Sequence, residues 1–162
     1  MPVSSSFVLP LPYRFFFLFL EPLLALAGAY VAHFQPQQYL HLTSPSTFSA
    51  SSPVPLATQV VLSQLANLYF LFAVNEALVL RATADLRVWR TVLVALLVAD
   101  VGHLWSLRNL GTDVYWKVGG WSVMGWGNAG IVYVGALMRV CFLGGVGLPT
   151  KVKGGKEKVA RE

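Results

Sequence analysis

Five side chains that carry charge or exchange protons lie inside long apolar segments of the chain. They are Glu21, Glu76, Asp100, His103 and Arg139. An ionised side chain at the centre of a membrane helix costs about 2.5–3.5 kcal/mol on insertion scales, so we expect these residues to face one another rather than lipid. A carboxylic acid in a water-poor interior is suited to proton transfer to a lipophilic molecule. The pattern therefore indicates an intramembrane acid–base site.

The residue types suggest a role for each member of this site. Glu76 or Asp100 would donate a proton, His103 or the other carboxylate would accept one, and Arg139 would hold its partner ionised. Glu21 is the third acid of the site. The candidate substrate-binding residues are polar or aromatic side chains on the same helices: Asn67, Asn75, Asn128, Arg139, Tyr69, Trp105 and Tyr133. Neither a metal nor a cofactor is expected, because the single cysteine, Cys141, excludes C-x-x-C sites and no histidine has a partner at metal spacing.

Depth and helical phase predict how these residues meet. At a rise of about 1.5 Å per residue, four of the five residues fall in one broad layer of the membrane. They are Glu21, Glu76, Asp100 and Arg139. At about 100° per residue, Gln64, Leu68, Leu71 and Asn75 form one stripe on the second helix, and Asn128, Gly135 and Arg139 share a face of the last. The expected arrangement is a polar pocket open toward the cytosolic leaflet, with walls that include Tyr69, Phe72, Trp105, Trp126 and Tyr133.

A structural interpretation of the same charges is the alternative. Arg139 would pair with one or two carboxylates, and the amides would join helices without doing chemistry. However, one arginine cannot neutralise Glu21, Glu76 and Asp100 together, so at least one carboxyl should be protonated or hydrated. That excess of acid favours a chemical role.

The elements that position these residues are four predicted membrane helices, at 13–34, 58–80, 91–107 and 121–148, which make the fold class an all-α polytopic bundle. An N-terminal cytosolic segment, 1–12, precedes them and a basic cytosolic tail, 149–162, follows. The segment 35–57 is rich in Pro, Ser, Gln and Thr and predicts an irregular loop. Pro22 lies inside the first helix, where it should free a carbonyl about four residues back and bend the helix.

Composition supports a membrane protein. The chain has 162 residues, 56% of them hydrophobic and only 12% charged, whereas a soluble domain carries roughly a quarter charged residues. A water-soluble monomer is therefore excluded. The net charge of +5 comes largely from the tail, where no aromatic residue interleaves the basic ones, so nucleic acid is not an expected partner. Membrane lipids and a lipophilic small molecule are the expected partners, and a homo-oligomer or biosynthetic partner enzymes remain open.

Basic residues between the spans predict the topology. The N-terminal part, the second loop and the tail hold 1, 3 and 5 Lys and Arg, whereas the first and third loops hold 0 and 2. Because cytoplasmic segments retain basic residues, both termini should face the cytosol. The endoplasmic reticulum is the expected membrane.

Several strings of the sequence resemble known families. They are Glu21-Pro22-Leu23, Ala27-Gly28-Ala29, Gln64-Leu65-Ala66-Asn67-Leu68-Tyr69, Asn75-Glu76-Ala77-Leu78-Val79-Leu80-Arg81, Asp85-Leu86-Arg87-Val88-Trp89-Arg90, Asp100-Val101-Gly102-His103-Leu104, Trp126-Gly127-Asn128, Tyr133-Val134-Gly135 and Met138-Arg139. Together they resemble a family of small fungal integral membrane proteins of unassigned activity, which implies a fungal origin and four membrane helices.

Two more distant resemblances concern architecture. Four helices with cytosolic ends and acids in the first two spans look like the sterol-isomerase and sigma-two-receptor (EXPERA-like) fold, which holds sterols in an intramembrane cavity. That resemblance would place Glu21, Glu76, Asp100 and His103 at cavity positions. The chain is also similar to fungal membrane-bound terpenoid cyclases, which use intramembrane carboxylic acids to protonate an alkene or epoxide.

The resulting hypothesis is an isomerase or cyclase that acts by acid–base chemistry on a lipophilic terpenoid, sterol or polyketide-like molecule in fungal secondary metabolism. The alternative is a non-catalytic lipid-binding or scaffolding protein whose buried charges are structural. A transporter is a third and weaker hypothesis, because four spans are few and no internal repeat is visible.

Overall fold

A computed structural model describes residues 9–148 of the protein. Within that range four helices are long and apolar enough to cross a membrane: Leu11–Phe34, Leu56–Val79, Leu86–Leu110 and Val123–Leu143. We call them the first, second, third and fourth span. The described residues form helices and turns without a strand, which confirms the predicted all-α polytopic class. The basic tail and most of the N-terminal segment lie outside the described residues.

The third span is the one whose limits differ most from the prediction. It begins at Leu86, five residues before the predicted start, because Asp85 caps it: the Asp85 carboxylate accepts a hydrogen bond of 2.7 Å from the Arg87 backbone N–H. Ser122 caps the fourth span in the same way, accepting at 3.1 Å from the Gly125 N–H. Asp85 is charged, so hydropathy assigns it to the loop although it marks a helix start.

The segment between the first two spans is only partly irregular. A helix runs through Pro36–Thr43, so the prediction of an irregular loop was wrong for those residues. Proline fits the first turn of a helix, where its missing N–H would have no partner. One contact joins this helix to the second span, where Tyr39 Oη lies 3.1 Å from Tyr69 Oη. Within the helix, Thr43 Oγ1 donates to the Tyr39 carbonyl at 2.8 Å.

The four spans pack as two pairs, the first with the second and the third with the fourth. A buried aromatic cluster joins the pairs at the end where the first span begins. It contains Tyr13, Phe16, Phe17, Leu18, Leu80, Trp89, Leu93 and Phe142. A second cluster lies near the other end and consists of Ala32, Tyr39, Leu62 and Ala66. Large apolar side chains such as Leu68, Val98 and Leu137 cover the outside, as expected for a surface in contact with lipid.

Three of the four spans contain a π-helical segment: Phe16–Leu20, Asn75–Val79 and Trp126–Gly130. The first ends directly before Glu21 and the second includes Glu76. Such segments are rare in helices and frequently occur at functional sites. They also shift the faces on which later side chains emerge, which regular helical phase does not anticipate.

The backbone carbonyl four residues before Pro22 is free to bind elsewhere, as the sequence predicts. Pro22 lies inside the first span without a backbone N–H, and the Leu18 carbonyl, four residues earlier, accepts a hydrogen bond from Arg81 Nη2 instead. The Arg81 guanidinium also lies over the Phe19 ring, 4.4 Å from its centroid. Arg81 therefore joins the end of the second span to the part of the first span that precedes Pro22.

Candidate functional site

The structure brings together one charged side chain from each span. Arg139 Nη1 donates a hydrogen bond of 2.8 Å to Asp100 Oδ2, and Arg139 Nη2 donates to Glu21 Oε1 at 2.7 Å and to Glu76 Oε1 at 3.3 Å. We call these four residues the ionic cluster. The side chains of Arg139 and Glu76 are fully buried, while those of Glu21 and Asp100 are 8% and 7% exposed. The predicted convergence in one layer is confirmed.

Local packing makes room for the Arg139 guanidinium. Gly135 lies one turn earlier on the same span, and a Cβ at that position would come within 2.6 Å of Arg139 Nη1 and 3.0 Å of Glu21 Oε1. The guanidinium carbon also lies 5.8 Å from the Phe17 ring centroid and 5.6 Å from that of Phe72, distances at which cation–π attraction operates. The glycine and the two rings thus form a cavity shaped for one guanidinium.

The cluster holds more acid than base. Three carboxyls surround one guanidinium, and no group among residues 9–148 forms a hydrogen bond with the buried Glu21 Oε2, Glu76 Oε2 or Arg139 Nε. Both glutamates accept from the same nitrogen, so their carboxyls are neighbours, and two like charges there would repel in a poorly screened interior. A proton held by one of them removes that repulsion. The cluster is therefore a buried group of three carboxyls and one guanidinium with little exposure to water.

His103 lies outside the ionic cluster. It follows Asp100 by three residues on the third span, but its ring is placed beside the Asn128 backbone, and its buried Nε2 has no partner in the described part of the chain. Asn128 itself is partly buried in the π-helical part of the fourth span. The structure therefore brings the two candidate residues His103 and Asn128 to each other rather than to the carboxyls.

The candidate binding residues of the second span also lie away from the cluster. Asn75 donates its side-chain amide to the Leu71 carbonyl of its own helix at 3.0 Å. Asn67 is exposed and lines a surface groove of about 380 Å³ with Tyr30 and His33. Tyr69 bonds to Tyr39, and its ring packs against Gly28 of the first span.

The polar stripe predicted for the second span faces outward. Gln64 is exposed, and Leu68 and Leu71 are 59% and 53% exposed. Glu76, immediately after Asn75, is the residue that enters the interior. The expectation of an inward polar stripe was wrong because the Asn75 side chain is satisfied by its own helix and tolerates the outer face.

The structure has a closed cluster where a pocket open toward the cytosolic leaflet was expected. Of the expected aromatic walls, Trp105 is 66% and Trp126 50% exposed, and the Trp105 ring stacks with Arg108. Tyr133 is partly buried and stacks on Trp121, with ring centroids 6.3 Å apart. Only Phe72 of that set packs against Arg139. Trp105 and Trp126 accordingly lie on the outside of the bundle, where aromatic belt residues are expected.

Two contacts were not predicted from the sequence, one at the ionic cluster and one outside it. Phe17 flanks Arg139 although it is one of several phenylalanines in a uniformly apolar run, where no pattern separates it from its neighbours. Arg81 is predicted to end the second span and to count among the basic residues of the second loop, but its contact with the first span, outside the ionic cluster, is not predicted. The freed carbonyl behind Pro22 was anticipated, and a search for an arginine at the same membrane end would have suggested its partner.

Within residues 9–148 no group of three or more His, Cys, Asp and Glu side chains is arranged to hold a metal ion. A family model described as "Domain of unknown function (DUF7704)" matches residues 6–149. No curated protein and no solved structure matches the chain.

Proposed function

The chain belongs to the DUF7704 family, and we propose that it is a multi-pass membrane enzyme that uses the ionic cluster for proton transfer to a lipophilic molecule. The substrate class is a terpenoid, sterol or polyketide-like molecule, and the reaction is an isomerisation or cyclisation. The observation that carries this proposal is the excess of acid: three buried carboxyls converge on one guanidinium. Ion pairing alone would need only one or two of them.

Glu76 is the proposed proton donor. It makes the longest contact with Arg139, 3.3 Å, and its side chain is fully buried, which disfavours a second negative charge beside Glu21. Glu21 and Asp100 hold the shorter contacts of 2.7 and 2.8 Å, which are typical of ionised carboxylates on a guanidinium. One of these two would accept a proton, and aromatic side chains near the cluster would stabilise a developing cation.

Access from the bilayer is proposed at the seam between the two helix pairs. Glu21 and Asp100, on the first and third spans, are the members of the cluster with some exposure. His103 lies one turn beyond Asp100 with a free Nε2 and is proposed as a secondary proton acceptor. A fungal origin, cytosolic termini and an endoplasmic reticulum location are part of the same proposal.

A scaffolding or lipid-binding protein is the second candidate. The complete burial of Arg139 and Glu76 favours it, because a site closed on all sides serves pairing between helices without any substrate. The two candidate functions assign different roles to Glu76. It donates a proton to the substrate in the first and only contributes to packing between helices in the second.

The deciding experiment replaces Glu76 with glutamine. Glutamine keeps the volume and the acceptor oxygen and, if Glu76 is protonated, also the charge balance. We therefore expect E76Q protein to reach normal levels in membranes while the product disappears. The measurement is a comparison of lipophilic metabolites in source cells that carry the wild-type gene, E76Q or a deletion, with membrane protein level determined by immunoblot.

A spectroscopic measurement on the same variant tests the proton itself. Infrared spectra of the reconstituted protein should contain a carbonyl band of a protonated carboxylic acid that is absent from E76Q. Asp113, an exposed acid paired with Lys117 in a loop, provides the matched control D113N, which should keep both band and product. Identical metabolites in wild-type and deletion cells would refute the enzyme proposal and favour the scaffold.

A further inference from the structure

A groove separate from the ionic cluster opens at the end of the bundle where the first span begins. It has a volume of about 420 Å³ and is formed by the first span, the end of the second, the short link and the start of the third. Arg14, Arg81 and Thr83 supply its polar lining, and Leu9, Leu18 and Phe19 are among its apolar residues. A groove of this size is sufficient for a phosphate headgroup and the adjoining part of a lipid chain.

The charged residues that line the groove are both positive. Among residues 9–148, neither Arg14 nor Arg81 forms an ion pair with an acidic side chain. The nearest acid in sequence, Asp85, is occupied as the cap of the third span. Arg81 uses one nitrogen for the Leu18 carbonyl and stacks on Phe19, so its guanidinium is fixed in position. Two guanidiniums without a counterion next to an apolar surface are complementary to an anionic amphiphile.

We propose that this groove binds an anionic membrane phospholipid, with its phosphate between Arg14 and Arg81 and its chain along Leu18 and Phe19. Guanidinium groups bind phosphate through paired hydrogen bonds, and Thr83 adds a hydroxyl at the rim. The same end of the bundle carries the exposed Arg87 and Arg90, as expected for the side of the membrane that presents anionic lipids. The site does not depend on any reaction at the ionic cluster.

The test uses the full chain, purified in detergent and analysed by native mass spectrometry with added phosphatidic acid or phosphatidylcholine. Wild-type protein should retain phosphatidic acid in preference to phosphatidylcholine. Arg14 is exposed and forms no ion pair with the other described residues, so R14Q should fold normally. An arginine near a charged lipid surface contributes about 1 kcal/mol, so R14Q should bind phosphatidic acid about fivefold more weakly.

Three controls test whether the retained lipid is bound in this groove. R90Q removes another exposed arginine from the same membrane end, and because Arg90 does not line the groove, R90Q should weaken binding clearly less than R14Q does. R14K should keep most of the binding because the charge is preserved. Inorganic phosphate at equal concentration should not displace the lipid. Equal weakening by R14Q and R90Q, equal retention of both lipids, or displacement by phosphate would each overturn the proposed lipid site.

Discussion

Replacing Arg139 with glutamine is expected to lower the stability of the protein more than any other single substitution at the site. The variant leaves Glu21, Glu76 and Asp100 without the guanidinium that all three contact. Removing one partner of a buried ion pair typically costs about 3–5 kcal/mol, because the remaining charge is uncompensated. We expect a large drop in the thermal midpoint of the detergent-solubilised protein, measured with a fluorescence-based unfolding assay, together with low accumulation in membranes.

Two comparisons make the R139Q result specific. R90Q removes an exposed arginine and should unfold at nearly the wild-type temperature, since surface substitutions usually change stability by less than about 0.5 kcal/mol. A neutral cluster that combines R139M with E21Q, E76Q and D100N should recover much of the lost stability, because a buried ion network is often replaceable by neutral groups of similar volume. An R139Q variant as stable as R90Q would contradict the role assigned to the ionic cluster.

The neutral cluster also separates stability from chemistry. If it folds and accumulates but yields no product, the charges are needed for a reaction and not only for assembly. If it folds and supports normal metabolite levels, proton transfer at these side chains is not the function. The two readouts therefore bear on the two candidate functions independently.

The approximate positions of the spans and the convergence of the charged side chains could be predicted from the sequence, because each depends only on position along the chain. Hydropathy locates an apolar run, and the rise per residue places Glu21, Glu76, Asp100 and Arg139 in one layer. Helix starts were less accurate, since the third span begins at a polar cap, Asp85, that hydropathy assigns to a loop.

The shape of the site was not readable in the same way. Helical phase assumes a constant turn angle, and the π-helical segments at Phe16–Leu20 and Asn75–Val79 break that assumption next to two of the acids. The expected pocket also depended on which aromatic side chains point inward. The orientation of these side chains depends on close packing between spans, such as Phe72 against Arg139. It produces no periodic pattern in an almost uniformly apolar sequence.

The second large effect is expected for Gly135→Ala. The added Cβ would lie 2.6 Å from Arg139 Nη1, a distance that real Cβ atoms essentially never show, and 3.0 Å from Glu21 Oε1. Arg139 is confined by Phe17 and Phe72 and by three carboxyls, so the guanidinium has little room to move. Overpacking typically costs about 1–3 kcal/mol, and any displacement also lengthens the contacts with Glu21 and Asp100. We expect a clear drop in the thermal midpoint.

Gly127→Ala is the matched control for this substitution. Gly127 lies in the same span, and a Cβ there would meet nothing within 4 Å. Alanine is favoured over glycine in a helix by about 1 kcal/mol, so G127A should be neutral or slightly stabilising. If G135A lowers the thermal midpoint and G127A does not, the destabilisation arises from the contact with the Arg139 guanidinium and not from replacing any glycine of the span. Equal stability of G135A and G127A would mean that Arg139 does not occupy the position on which the acid–base proposal depends.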